Sequence, residues 1–497
     1  MAMDDNQPSE AMKFELLKVA AKPEAAARLG RLLLPGRQPV STPNFFAMTS
    51  RGSVPHVTPD NVSKHLNIGG SYMALEDFIE RSQAYAKREP PIYQTPSSST
   101  PSSGRPPLHS FTATPPTTLT ILAPRRIPAV PSPMGNTNSS ISVYTSTGFQ
   151  PLSTSEYRSA IQTLQPDIAI PMADLTNAQI NPTSKRALRM AERTDEWIKE
   201  WFLLTKPTSS TATFAPVLPI AYSMQWEYLE RLSEDYTPSS PGHPSPRGNN
   251  AVAGLAVYDP DIIPDLVNDY SNLSLLPRLS LSAPSTPHQV LRQISLGVDL
   301  FVLPFTNTVS DSGVALAFTF PPPSDTQGIL PLGVDMSDQK YQTDLGPLMD
   351  GCTCYACSRH HRAYVHHLLS AREMLGWTLL QIHNHAVLTS FFEGIRQSLQ
   401  NGEEEFEKGV DRFSMVYDSE FPVGSGERPR ARGYHFKSAG GDEKRNKPAW
   451  SKFGNNDDSE GVSVSSSQPV TDTPPPVPDP MADGVDLEHQ GLGKVVR

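Results

Sequence analysis

The chain has 497 residues, enough for roughly two to four domains or for one large α/β barrel with added segments. Its hydrophobic fraction is only 37% and its 50 prolines gather in Pro/Ser-rich stretches, which indicates one sizeable globular region with disordered insertions. The formal net charge of −10 argues against a dominant basic surface for nucleic acid. We find no run of about 18 apolar residues that would predict a membrane span, and no signal peptide, so we expect a cytoplasmic protein.

The first 118 residues predict short strands, one helix and a loop. Alternating apolar residues indicate extended segments at residues 14–19, 28–32 and 40–48. The stretch Met73–Lys87 has the spacing of an amphipathic helix. Residues 88–118 are rich in Pro, Ser and Thr and predict a disordered loop.

From residue 119 onward, predicted strands alternate with predicted helices. Ser153 and Glu156 form the sequence pattern of a capping box, which predicts a helix from there through Leu164. A second Pro/Ser/Gly loop is expected at about 236–250. The remaining predicted strands lie at 142–144, 167–172, 215–221, 251–257, 278–281 and 298–304, and the remaining helices at 183–204, 225–232 and from 285 onward.

This alternation predicts an α/β fold with parallel βαβ units. Since no Gly-rich phosphate loop is present, a (β/α)8 TIM-type barrel is favoured over a doubly wound sheet. We place the barrel at residues 13–430 and a disordered tail at 431–497. Polar residues at the ends of barrel strands are candidate site residues, here Asp174 and Asp299; a helix cap or loop hydrogen bond is the alternative for each.

All three cysteines of the chain lie within one short segment, Cys352, Cys354 and Cys357, ahead of a strongly helical stretch from 362 to about 400. Three thiolates and a helical histidine form the ligand set of a closed structural zinc site, so residues 351–400 predict a zinc-binding helical subdomain. A buried or reactive thiol cluster is the alternative. A disulfide framework is excluded because the cysteines are odd in number and too close together. Spacing alone does not decide which of six nearby histidines would complete the set.

The segment from Gly351 to Arg396 resembles the zinc-binding segment of the tRNA-guanine transglycosylase family. In that family a C-x-C-x2-C turn is followed by Ala-Tyr-x-x-His-Leu and by a helix with a His-Asn pair, here residues 363–368 and His383-Asn384. The resemblance therefore implies that His383 is the fourth ligand. Further matches are residues 28–31, 41–45, 164–168, 253–255 and the strand Gly297–Phe301, so the resemblance covers about residues 13–400.

Departures from the family pattern bear on catalysis. Catalytic members carry a nucleophilic aspartate directly after the Gly-Val-Asp-x-Phe strand, and here that position is Val302, which has no lone pair to attack with. The Pro-Thr-Arg element reads Pro304-Phe305-Thr306 and lacks the arginine. The Asp-Ser-Gly-Gly-Phe-Gln motif of the acid/base aspartate has only a coincidental counterpart at 146–150. Asp174 corresponds to the aspartate that recognises the base.

The resemblance thus implies a non-catalytic member that forms a heterodimer with a catalytic paralogue. Such a complex exchanges guanine for queuine at the wobble position of tRNAs with GUN anticodons, those for Asp, Asn, His and Tyr. The zinc would be structural, and tRNA would be bound through the complex. Peripheral association with the mitochondrial outer membrane is known in such members. Two alternatives are an active transglycosylase using Asp299 as a displaced nucleophile, and a queuine-binding scaffold that reads the base with Asp174.

Overall fold

The computed structural model describes residues 12–18, 27–79, 89–95, 105–132, 135–176, 182–205, 211–237, 251–324 and 328–429. Within them the strands are β1 (Lys13–Lys18), β2 (Leu29–Leu33), β3 (Val40–Thr42), β4 (Asn44–Met48), β5 (Gly70–Ala74), β6 (Leu119–Ala123), β7 (Ser140–Thr145), β8 (Gly148–Ser153), β9 (Ile168–Ala169), β10 (Ala212–Val217), β11 (Val252–Val257), β12 (Arg278–Ser280), β13 (Leu300–Val302), β14 (Val314–Leu316) and β15 (Gly333–Asp335).

Thirteen α-helices lie in the same described residues. They are α1 (Pro59–His65), α2 (Pro107–Thr112), α3 (Thr154–Leu164), α4 (Ser184–Leu204), α5 (Trp226–Asp235), α6 (Ile263–Asp269), α7 (Ser271–Ser274), α8 (Pro287–Ser295), α9 (Phe305–Asp311), α10 (Tyr355–Arg359), α11 (Arg362–Ser370), α12 (Met374–Asn401) and α13 (Glu403–Val416). No helix among the described residues is both long and apolar enough to cross a membrane.

Eight parallel strands close into a barrel in the order β10-β11-β12-β13-β4-β5-β6-β9. This confirms the predicted (β/α)8 fold. The barrel interior is filled by an apolar cluster to which every barrel strand contributes, because strand residues alternate between the inside and the helical layer. Its members include Phe46, Tyr72, Ile121, Ile168, Phe214, Ala256, Leu279 and Leu300.

Three smaller sheets lie beside the barrel. Strands β1, β2 and β3 form an antiparallel sheet that precedes the first barrel strand. Strands β7 and β8 form a hairpin, so the strand predicted at 142–144 belongs to this hairpin and not to the barrel wall. Strands β14 and β15 pair after the last barrel strand and lead into the four C-terminal helices α10 to α13.

The helix predicted from Met73 to Lys87 is wrong in its first part. Residues 70–74 form the barrel strand β5, and Leu75–Asp77 form one 3₁₀ turn, while residues 80–88 lie outside the described residues. All five residues of β5 are buried, so no alternation of polar and apolar residues marks it as a strand. A buried segment this short has no periodicity by which a strand could be distinguished from a helix.

The predicted loop at 88–118 is ordered at both ends. Residues 91–94 form a 3₁₀ turn and residues 107–112 form α2, where Leu108 and His109 are fully buried. Proline begins both elements, since its fixed φ angle suits the first turn of a helix. The middle of this loop, the second loop from residue 238 and the tail from 431 lie outside the described residues.

Candidate metal centre and barrel mouth

The structure brings the three cysteines and His383 together. Cys354 caps the N-terminus of α10, where its Sγ accepts a hydrogen bond of 3.4 Å from the backbone N–H of Cys357. His383 is fully buried in α12, and its Nδ1 lies 3.7 Å from the Sγ atoms of Cys352 and Cys354 and 3.3 Å from that of Cys357. All four donor atoms lie within 4.8 Å of one another, so this group could hold a metal ion.

Two residues outside this group position the histidine. The Nε2 of His383 donates to the carbonyl oxygen of Leu316 at 2.9 Å, which leaves Nδ1 facing the thiols. The neighbouring Asn384 accepts from the backbone N–H of Leu316 at 2.8 Å and donates to the carbonyl of Val314 and the hydroxyl of Ser310. Strand β14 is thereby tied to α12 beside the cluster.

The four groups share protons when no metal is bound. Hydrogen bonds from Cys352 and Cys354 lower the pKa of the Cys357 thiol, whereas hydrogen bonds to Cys352 and Cys357 raise the pKa of Cys354. Burial lowers the pKa of His383, but its hydrogen bonds with Cys352 and Cys357 raise it on balance to about 9. A metal ion must displace these protons, because it is bound by thiolates and a neutral imidazole.

The other nearby histidines lie outside the group. His366 contacts the carbonyl of Met336 through Nδ1 at 3.0 Å. His385 lies 3.2 Å from the side-chain nitrogen of Gln381, and burial lowers its pKa to about 4. His360 stacks on Tyr364, with ring centroids 5.2 Å apart.

Val302 is the last residue of β13 and is fully buried in the apolar interior of the barrel. Asp299 lies at the opposite end, immediately before that strand, so its position at a strand C-terminus was wrongly predicted. Its carboxylate accepts from Arg28 Nε at 2.9 Å and from the backbone N–H of Arg278 at 2.8 Å, and it is fully buried. A carboxylate held in this way at the N-terminal end cannot act at the mouth, which argues against the displaced-nucleophile hypothesis.

Asp174 lies past the C-terminal end of β9, where barrel active sites occur, and its side chain is fully buried. Both carboxylate oxygens already have partners: Oδ1 accepts from Arg186 at 2.6 Å and from Asn136 at 2.7 Å, and Oδ2 accepts from Arg193. The predicted role of Asp174 in substrate binding is not tested by these contacts, but it would require a ligand to displace one of the three donors.

A cavity of about 230 Å³ opens at the same end of the barrel. Most of its lining comes from the segments that follow five barrel strands, β6, β9, β10, β11 and β12, and Tyr72 of β5 adds to it. The lining includes Ala173 and Leu175 but not Asp174 between them. The principal side chains are Tyr72, Arg125, Ile127, Pro219, Tyr258 and Leu281. The fully buried carboxylate of Asp174 is therefore not part of the cavity lining.

The residues that hold Asp174 and His383 are not evident from the sequence. Asn136, Arg186 and Arg193 lie up to 38 positions from Asp174, and single arginines on a polar helix give no signal of an ion pair. Leu316 acts through its backbone carbonyl, which any residue type supplies. Only Asn384 could have been found, because it stands beside the ligand histidine and belongs to the quoted motif.

The geometry defines a class: a TIM-type barrel protein with a Cys3His cluster after its last strand. The chain also matches the family described as queuine tRNA-ribosyltransferase over residues 24–419. Because this match spans most of the chain, the protein belongs to that family.

Similar proteins from several organisms share one name. A fission yeast protein (Schizosaccharomyces pombe) named queuine tRNA-ribosyltransferase accessory subunit 2 is 36% identical over 83% of this chain and 86% of its own length. Proteins of the same name from Danio rerio and Anopheles gambiae are 29% and 25% identical, over 54% and 78% of this chain and 72% and 88% of their own lengths.

Proposed function

We propose that this chain is the non-catalytic subunit of a heterodimeric queuine tRNA-ribosyltransferase, which exchanges guanine for queuine at the wobble position of tRNAs with GUN anticodons. One observation carries the proposal: the strand end that would hold the nucleophile is Val302, packed among apolar side chains. A catalytic partner must therefore supply the attacking carboxylate. The name shared by the similar proteins supports this role.

The test is to purify the chain alone and with a catalytic subunit of the same family, and to measure queuine incorporation into a GUN tRNA. We expect no activity from this chain alone and activity from the pair. Replacing the nucleophilic aspartate of the catalytic subunit should abolish the activity of the pair, whereas Val302→Ala should leave it largely intact. Activity of this chain alone, with a covalent tRNA adduct on it, would contradict the proposal.

For the metal we propose one structural Zn²⁺ held by Cys352, Cys354, Cys357 and His383. Tetrahedral zinc with sulfur ligands at about 2.3 Å and nitrogen at about 2.0 Å requires donor atoms about 3.5–3.8 Å apart. The distances from Nδ1 to the sulfurs of Cys352 and Cys354, both 3.7 Å, lie within this range, and the distance to Cys357, 3.3 Å, is slightly shorter. Four protein ligands leave no open position for water, so the ion would stabilise the C-terminal helices and take no part in the reaction.

For the partner we propose a docking face on the metal-binding segment. Tyr355 is 39% exposed, and its ring lies 4.3 Å from His65 and 5.5 Å from His360, which in turn stacks on Tyr364. Partly exposed aromatic side chains held in fixed positions are frequent anchors of protein interfaces. Tyr355→Ala should weaken binding of the catalytic subunit without loss of metal, measured by titration calorimetry and metal analysis.

We further propose that Asp174 does not read a base in this subunit, since two arginines and an asparagine already satisfy it. Equilibrium dialysis with queuine tests the scaffold alternative. Binding by the isolated chain that Asp174→Asn abolishes would contradict our proposal.

We propose a cytoplasmic location, supported by three cysteines that are free of disulfides and placed to bind metal. Cell fractionation would test this location and any peripheral association with mitochondria.

A further inference from the structure

The barrel-mouth cavity is lined by a buried arginine, Arg125, that forms no salt bridge with any carboxylate in the part of the chain that the structure describes. Arg125 is only 8% exposed and lines the cavity. Its Nε and Nη2 donate to the backbone carbonyl of Ser142 and to Asn136, both of which are neutral. Its Nη1 is buried and has no hydrogen-bond partner among the described residues. Burial lowers the pKa of this guanidinium, which reflects the cost of holding its charge away from water.

The acidic groups nearest to Arg125 are committed to other arginines. Glu76 and Asp77 pair with Arg126 at 2.8 and 2.9 Å. Asp174 pairs with Arg186 and Arg193. Among the described residues, Glu76, Asp77 and Asp174 thus form their ion pairs with other arginines, and Arg125 has no ion pair of its own.

The rest of the lining is largely apolar and aromatic. No acidic residue is found among the lining residues that the structure describes. Tyr258 faces the cavity close enough to Arg125 for the guanidinium to act on its pKa, which burial nevertheless raises to about 12. Its hydroxyl is therefore protonated at neutral pH and can donate a hydrogen bond. A volume of about 230 Å³ is below the roughly 300–1,000 Å³ of pockets for drug-sized molecules, so it suits one or two rings and not a nucleotide.

We propose that this cavity binds a small aromatic carboxylate. The ring would occupy the apolar lining, and the carboxylate would accept from the hydroxyl of Tyr258 and neutralise the charge of Arg125. A preference for a negatively charged ligand is the opposite of what a base-reading site requires. In such a site a carboxylate of the protein accepts hydrogen bonds from N–H groups of the ligand. The site would belong to this subunit alone and does not depend on the partner.

Benzoate and benzamidine test the proposal, since they have nearly the same shape and opposite charge. Saturation-transfer NMR with the full chain should show transfer to benzoate and none to benzamidine. Tyr258→Phe should weaken benzoate binding by about tenfold or more, because the ring remains and only the donor is lost. Equal binding of both probes, binding of benzamidine alone, or binding of neither would overturn the proposal.

A pair of tryptophan variants locates the site. Ala129 lines the cavity at a half-buried position, so Ala129→Trp can fill the space without entering the core. Ala371 is exposed at the end of α11 and outside the cavity, so Ala371→Trp is the matched control. Ala129→Trp should abolish benzoate binding while the control retains it. Retained binding in Ala129→Trp, or displacement of benzoate by guanine, would show that the assignment is wrong.

Discussion

The Nε2 of His383 donates a hydrogen bond of 2.9 Å to the backbone carbonyl of Leu316. The bond leaves Nδ1 to face the three cysteines, because the neutral imidazole that binds a metal carries its proton on the other nitrogen. It also joins the metal-binding helix α12 to β14, the first strand after the barrel. The metal-binding helix is therefore tied directly to the strand that follows the barrel in sequence.

Replacing one thiolate should remove the metal. Cys354→Ser is expected to lose bound zinc, measured by elemental analysis of the purified chain, since a neutral hydroxyl is a far weaker ligand than a thiolate. His367→Gln is the control, because His367 is an exposed histidine of the same segment that lies outside the four-residue group. Full zinc content in Cys354→Ser would contradict the assignment of the cysteine cluster as the metal site.

Metal affinity should rise with pH. In the metal-free chain the pKa of His383 is raised to about 9, so its ring is protonated at neutral pH and the ion must displace that proton. Affinity should therefore fall by at least about tenfold for each pH unit below 9. Chelator competition at several pH values measures this dependence. A metal affinity that does not change between pH 6.5 and 8.5 would contradict the coupling of metal binding to proton release from His383.

Asn384 should be important for stability. Asn384→Ala leaves the backbone groups of Leu316 and Val314 and the hydroxyl of Ser310 without their partner. We expect a loss of about 2–4 kcal/mol in the free energy of unfolding, because buried polar groups left unpaired are costly. Urea unfolding measures it, with Gln397→Ala on the exposed face of α12 as a near-neutral control. If the free energy of unfolding changed as little in Asn384→Ala as in the control, the proposed stabilising role of Asn384 would be refuted.

Asp299 should stabilise the barrel and take no part in exchange. Asp299→Asn removes the negative partner of buried Arg28 and should cost about 3–5 kcal/mol in the free energy of unfolding. Adding Arg28→Met to this variant should recover part of the lost free energy of unfolding, since the buried charge without a partner is then removed. Thermal unfolding of both variants measures these changes in stability. Under conditions where Asp299→Asn remains folded, the heterodimer should keep its exchange activity; loss of activity without loss of structure would point to catalysis.

Several features of the chain were predictable because they depend on neighbours in sequence. The capping box of α3 is present as predicted, with the hydroxyl of Ser153 accepting from the N–H of Glu156 and the Glu156 carboxylate accepting from the N–H of Ser153. The spacing of the cysteines keeps three thiols within one short segment, with Cys354 as the N-cap of α10, Cys357 in its first turn and Cys352 just before them. The alternation of strands and helices similarly led to the barrel, because parallel strands need helical crossovers.

Other features depend on contacts between distant residues, and only the tertiary structure decided them. The sequence does not mark where β5 ends, because the barrel buries both faces of this strand and no polar and apolar residues alternate along it. Asp174 and Asp299 look alike in sequence, as acidic residues beside apolar strands. Which end of the barrel each occupies, and which arginines neutralise it, follows from closure of the sheet, which brings Arg28 to Asp299 across 271 positions. The spacing of the cysteine ligands can be read from neighbouring residues. The pairing of arginines with carboxylates at the barrel mouth is set only when distant parts of the chain come together in the folded protein.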